Sequence, residues 1–116
     1  MGNTVITSAG NLQARFVIHA VGPRWGESHE VEKLRNAASN SLQRAEEREL
    51  KSIAFPAISA GIFGFPQKLA AKTLLTAVWQ YLSRESGIKT VIFILFDTES
   101  FNVFKDQLSI LAKRQI

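Results

Sequence analysis

Four short apolar, β-branched runs alternate with three longer amphipathic stretches along this chain of 116 residues. Such alternation marks an α/β layered domain. Thr4–Ser8 reads as a first strand, broken at Gly10 and Asn11. Phe16–Val21 reads as a second, stopped by Gly22 and Pro23. A helix is expected next. Ser28 is placed to cap it, and Glu30 and Glu32 fall in its first turn, where the helix dipole favours anions. Val31, Leu34, Ala38, Leu42 and Ala45 recur at helical spacing and form one apolar stripe. Ser52–Ile58 reads as a third strand, apolar enough to be covered on both faces.

A second helix is expected from about Pro66 to Ser83, with a buried stripe running from Leu69 through Leu74 and Val78 to Leu82. Thr90–Phe96 is the most apolar run and is expected in the sheet interior. A last helix follows, with Phe101, Phe104, Leu108 and Leu111 facing inward. The order β-β-α-β-α-β-α, with helices as crossovers, implies that part of the sheet is parallel.

The length suits one domain, and a chain of this size buries roughly two thirds of its unfolded surface, enough for a core without staples. There are no cysteines, which excludes a disulfide scaffold, a thiolate zinc site and a cysteine nucleophile. No apolar run reaches the roughly 18 residues of a membrane span, and the first ten residues have no basic leader. The chain is therefore expected to be soluble and intracellular. Its net charge of +4 mildly favours anionic partners, phosphorylated small molecules or nucleic acid.

Ser59-Ala60-Gly61-Ile62-Phe63-Gly64 carries the most chemical information. It leaves the C-terminal end of a strand and enters a helix, the edge at which open α/β sheets receive ligands. Gly61 and Gly64 let the backbone approach a ligand closely. Successive backbone amides beside a helix start can cradle a phosphate. Ser59 adds a hydroxyl, and Ile62 and Phe63 are suited to cover an apolar ring or a ribose. The segment matches neither the dinucleotide fingerprint nor the P-loop, so a plain strand-to-helix turn stays open as the alternative.

Phe96 and Asp97, at the end of the last strand, open at the same edge. Phe96 is either a ligand-side aromatic or a core residue. Asp97 either meets a ligand hydroxyl or caps the following turn. His19 stands alone in an apolar run and His29 on a polar helix start, so no metal site is expected. Trp25, after Arg24, either stacks on a base or packs as a lid on the core. No spacing nominates a general base.

Three segments together carry a family resemblance: Thr7–Leu12 leading into Phe16–Pro23, then Ser52–Gly64, then Phe93–Asp97. In this order and spacing the chain resembles the macro domain, the ADP-ribose-binding module. The resemblance implies an α/β fold with a macro-domain-like mixed sheet flanked by helices, about four strands and three helices in this chain. It implies that backbone amides of Ser59, Ala60, Gly61, Ile62, Phe63 and Gly64 hold a diphosphate, that Phe63 covers the distal ribose, and that Phe96 lies beside the ligand.

Relative to the family pattern the chain lacks an N-terminal portion of roughly sixty residues, so residues 1–116 correspond to the C-terminal two thirds of the domain. Absent with it are a strand ending in Asn-Ala-Ala-Asn, the first phosphate loop and the acidic residue that reads adenine. No catalytic residue is assigned, and no cofactor is expected. That missing strand normally lies between those at Phe16 and Ser52, so the sheet is expected to close up, to stay gapped or to borrow a strand from another chain, self-association included. The expected partner is ADP-ribose or an ADP-ribosylated protein, and no membrane. The alternatives are an ADP-ribosyl hydrolase or O-acetyl-ADP-ribose deacetylase, and a nucleic-acid-binding or structural role, which the scattered basic residues support only weakly.

Overall fold

The computed structural model describes residues 4–8, 16–20, 22–56, 64–84, 86–95 and 97–114, the segments 4–8 and 16–20 by their backbone. Its elements follow the expected order: β1 (Thr4–Ser8), β2 (Phe16–Ala20), α1 (Glu30–Glu47), β3 (Ser52–Phe55), α2 (Gln67–Leu82), β4 (Thr90–Phe93) and α3 (Thr98–Arg114). β1 and β2 pair antiparallel, with Ile6 opposite Ile18. β3 and β4 pair parallel, with Ser52 opposite Thr90 and Phe55 opposite Phe93. α2 is the crossover between them, as a parallel pair requires. The described residues thus form two two-stranded sheets rather than one continuous sheet. α1 lies against both strands of the first.

The core is built by the helix stripes. Leu34, Ala38, Leu42 and Ala45 of α1 are fully buried, as their spacing predicts, and Ala37 and Ser41 widen the stripe. Ser41 Oγ donates to the Ala37 carbonyl at 2.7 Å, which satisfies its hydroxyl inside the core. α2 is buried along Ala70, Leu74, Val78 and Tyr81, with Ala71, Leu75 and Ala77 adding a second row. That breadth fits a helix wedged between α1 and α3.

One cluster joins α1, α2 and Phe104 of α3. The other joins Leu42, Ala45, Val78 and Tyr81 to Phe55 and Ile88, with Ile53 and Val91 packed against it. Aromatic rings link the sheet to α3. Phe55 stacks on Phe93 at 5.6 Å, and Phe93 meets Phe104 at 5.4 Å.

Three expectations are corrected. α1 starts at Glu30 with His29, in the left-handed region at φ 56°, at its N-cap, and no side chain caps it; Ser28 lies one residue too early. α3 is rotated from its expected orientation. Phe104 is buried with Ser100 and Gln107, while Phe101 and Leu108 are 56% and 46% exposed. Asp97 fixes that rotation by capping the helix, its carboxylate accepting from the Ser100 amide at 2.7 Å. Finally, the described residues cover the β3–β4 sheet on one face only. Phe55 is buried while Ser52 and Ala54 are exposed, and Ile92 alternates outward in the same way.

A polar staple forms between the segments that precede β3 and β4. The Glu46 carboxylate accepts from Ser86 Oγ at 2.5 Å, tying α1 to the α2–β4 connection. Hydrogen bonds from Ser86, Tyr81 and the Gly87 amide hold Glu46 below the ordinary glutamate pKa. Burial and the neighbouring Glu46 charge push the Tyr81 phenol up. The Arg84 guanidinium covers the Tyr81 ring at 4.5 Å, a cation–π contact.

Candidate functional site

The C-terminal ends of β3 and β4 point the same way, because the strands are parallel. Both lead into segments singled out by the sequence. After Phe55 and Pro56 the chain runs towards Ser59, Ala60, Gly61, Ile62 and Phe63, which lie outside the described residues, and re-enters at Gly64. After β4, Ile94 extends the pairing by donating its amide to the Phe55 carbonyl at 2.7 Å. Phe96 lies outside the described residues, and Asp97 follows it. The described ends of β3 and β4 therefore lead towards both segments from one edge.

The loop's exit is set by Gly64, Phe65 and Pro66. Gly64 has φ +71°, a conformation that L side chains rarely adopt. Phe65 is 3% exposed and anchors the segment in the core. Pro66, at φ −55°, occupies the N-cap of α2 and offers no side-chain acceptor. Its carbonyl already accepts the Ala70 amide at 2.8 Å. The amides of Gln67, Lys68 and Leu69 precede the first intrahelical donor, and no described side chain caps this helix start. An uncapped helix N-terminus at the end of a glycine-containing loop is electrostatically suited to an anion.

Two contacts brace this edge. Gln67 Nε2 donates to Ser100 Oγ, latching the start of α2 to the start of α3. Asp97 is thereby accounted for: it is the cap of α3. The Ser100 amide and hydroxyl hold its carboxyl below the ordinary aspartate value.

On the other side, Trp25 meets the Phe65 ring edge-on at 5.1 Å and stays 46% exposed. Of its two sequence readings, the structure supports packing on the core. The loop carrying Trp25 is itself pinned. Glu27 accepts from the Arg24 amide at 2.7 Å and from Lys33 Nζ at 2.8 Å, bonds that draw its pKa down, with the Lys33 bond first. Sequence reading missed the Gln67–Ser100 latch. The residues are 33 apart and carry no local pattern.

The fold defines a class: an α/β domain whose two parallel strands end at one edge, the edge at which such sheets receive ligands. The macro domain family model matches residues 1–74, and the chain belongs to that family. Among curated relatives it is 46% identical over 107 residues to a macro domain-containing protein of Listeria monocytogenes, covering 89% of this chain and 61% of that one. It is 42% identical over 110 residues to an O-acetyl-ADP-ribose deacetylase of Klebsiella pneumoniae, covering 93% of this chain and 63% of the relative.

Among solved structures, the Oceanobacillus iheyensis macrodomain with ADP superposes with a TM-score of 0.94 at 33% identity, covering 97% of this chain and 60% of that one. The Trypanosoma brucei macrodomain in complex with ADP-ribose gives 0.85 at 27%, covering 92% and 45%. The chain thus spans about three fifths of the length of the curated relatives it matches. Among the described residues, no helix is long and apolar enough to cross a membrane.

Proposed function

We propose that this chain is a binding module for ADP-ribose or a related nucleotide diphosphate. In this reading residues 1–116 form the C-terminal two thirds of a macro domain. Backbone amides of Ser59, Ala60, Gly61, Ile62 and Gly64 hold the diphosphate, next to the uncapped start of α2. Phe63 covers the distal ribose and Phe96 lines the ligand. ADP-ribosylated protein is the macromolecular form of the same partner. The observation that carries the reading is the likeness to ligand-bound macrodomains across 97% and 92% of the chain. The uncapped α2 start and the positive φ of Gly64 support it.

Affinity is expected to fall below that of a whole domain, because one wall and one phosphate loop are not supplied by these residues. Among the described residues each sheet has two strands only, which supports a second element of the reading, that the chain associates with itself. The relatives named as deacetylases support hydrolysis of O-acetyl-ADP-ribose as an alternative.

The test compares the thermal upshift given by ADP-ribose in the native chain and in Gly61→Glu. A carboxylate in the loop opposes the diphosphate by charge and bulk, so the upshift should vanish while the unliganded melting temperature stays near native. An equal upshift in the variant moves the site elsewhere.

A further inference from the structure

Trp25 reaches the exit of the candidate loop from a turn that is itself fixed. On one side of it Pro23 is fully buried, and the Arg24 amide donates to Glu27 Oε1 at 2.7 Å. On the other, Gly26 takes φ +96° and donates its amide to Glu30 Oε2 at 3.1 Å. The Glu27 amide returns to the Arg24 carbonyl at 3.3 Å, and Lys33 Nζ donates to the second Glu27 oxygen at 2.8 Å. Both neighbours of Trp25 are thus tied through carboxylates to Glu30 and Lys33 at the start of α1. That helix is anchored in turn by fully buried Leu34 and Ala38.

From this base the indole meets the loop exit. Its ring contacts Phe65 edge-on at 5.1 Å, and a Cβ added at Gly64 would lie 3.9 Å from Trp25 Cβ. Among the described residues, no backbone hydrogen bond holds Gly64 or Phe65. Glycine populates either sign of φ, so Gly64 does not keep its own φ of +71°. Side-chain packing on the next residue does. Phe65 is held by the core cluster around Leu34 and Leu74, and by the indole.

We propose that Trp25 is a positioning residue for ADP-ribose binding, acting through Phe65 to fix where the loop that ends at Gly64 leaves its backbone. This rests on the binding function put forward above. The contribution is preorganisation: a loop already held in its bound conformation avoids the ordering cost that a loose one meets on binding. The edge-on ring contact supplies it, and the indole N–H has no part in it. Another aromatic ring at position 25 therefore serves, and an aliphatic side chain does not.

The test is calorimetric titration of the 116-residue chain with ADP-ribose, native and with Trp25→Ala, Trp25→Leu, Trp25→Phe, Phe65→Leu, and Trp25→Ala combined with Phe65→Leu. Melting temperature and hydrogen exchange are measured on each unliganded chain. Trp25 is not a member of the core cluster, so Trp25→Ala should still melt cooperatively. Trp25→Leu carries the comparison if it does not. Both aliphatic variants are expected to weaken binding roughly three- to tenfold, the loss of one aromatic pair. Trp25→Phe should stay within about twofold of native. In the Phe65→Leu background, Trp25→Ala should add less than about twofold, because the route is already cut. Exchange across residues 57–66 should quicken in the aliphatic variants and not in Trp25→Phe, with peptides from α1 and α2 unchanged, which a general loss of stability would not spare.

Native affinity in the aliphatic variants overturns the proposal, and so does unchanged exchange across residues 57–66. A Trp25→Phe chain as weak as alanine overturns it by placing the indole itself on the ligand. Additive losses in the double variant overturn the route through Phe65. A native chain that binds no ADP-ribose overturns the binding function together with its positioning residue, whereas a native chain that binds and is indifferent to Trp25 overturns the positioning residue alone.

Discussion

Gly64 offers a direct test of how the candidate loop is held. Its φ of +71° is left-handed, and a Cβ added there would meet only Trp25 Cβ, at 3.9 Å, an ordinary contact. Crowding therefore contributes nothing to the cost of Gly64→Ala, and the backbone conformation contributes all of it. Placing an L side chain in the left-handed region costs roughly 1–2 kcal/mol. Alanine also stiffens the unfolded chain, which offsets about 0.4–1 kcal/mol. The net loss is expected to be about 1 kcal/mol, a fall in melting temperature of roughly 4–8 °C for a domain near this size.

Urea titration should show the midpoint falling with an unchanged slope, since the surface exposed on unfolding is the same. Gly64→Asn should lose less than Gly64→Ala, because asparagine tolerates this region better. An alanine variant as stable as the native chain, or an asparagine variant no better than alanine, would refute the argument. If the exit geometry of the loop also sets its amides, Gly64→Ala should weaken ADP-ribose binding in addition.

Other predictions follow from the core and its polar bonds. Leu74→Ala removes a fully buried side chain at the centre of the main cluster and should cost about 2–5 kcal/mol by chemical denaturation. Asp97→Ala should lower the melting temperature by removing the α3 cap, and Asp97→Asn should restore most of the loss. Glu46 has its pKa lowered in the folded state, so its contribution is present above the ordinary value of 4.5 and is lost as pH falls below it. Glu46→Gln should therefore flatten the acid limb of a stability–pH profile, and an unchanged limb would remove Glu46 from the account.

The order of elements was legible because the helices of this chain announce themselves by period. α1 shows it best: four of its five predicted stripe residues, Leu34, Ala38, Leu42 and Ala45, are fully buried. α3 shows the limit of period alone. Phe101, Phe104, Leu108 and Leu111 make a valid stripe, but a stripe fixes only relative angles. The Asp97 cap and the Gln67–Ser100 latch turn Ser100 inward, and Phe101, about 100° further round, turns out.

β4 misleads for another reason. It is apolar on both faces, so its pattern looks the same whether one face is covered or two. The candidate loop was legible from its glycines and its place between a strand and a helix. Its brace was not, since Trp25 and Phe65 meet across 40 residues of sequence.

Titration calorimetry of the 116-residue chain with ADP-ribose tests the central claim most directly. The account predicts saturable binding in the micromolar range, one ligand per chain, displaced by ADP and absent in Gly61→Glu. A sample that melts cooperatively and gives no heat of binding would contradict it.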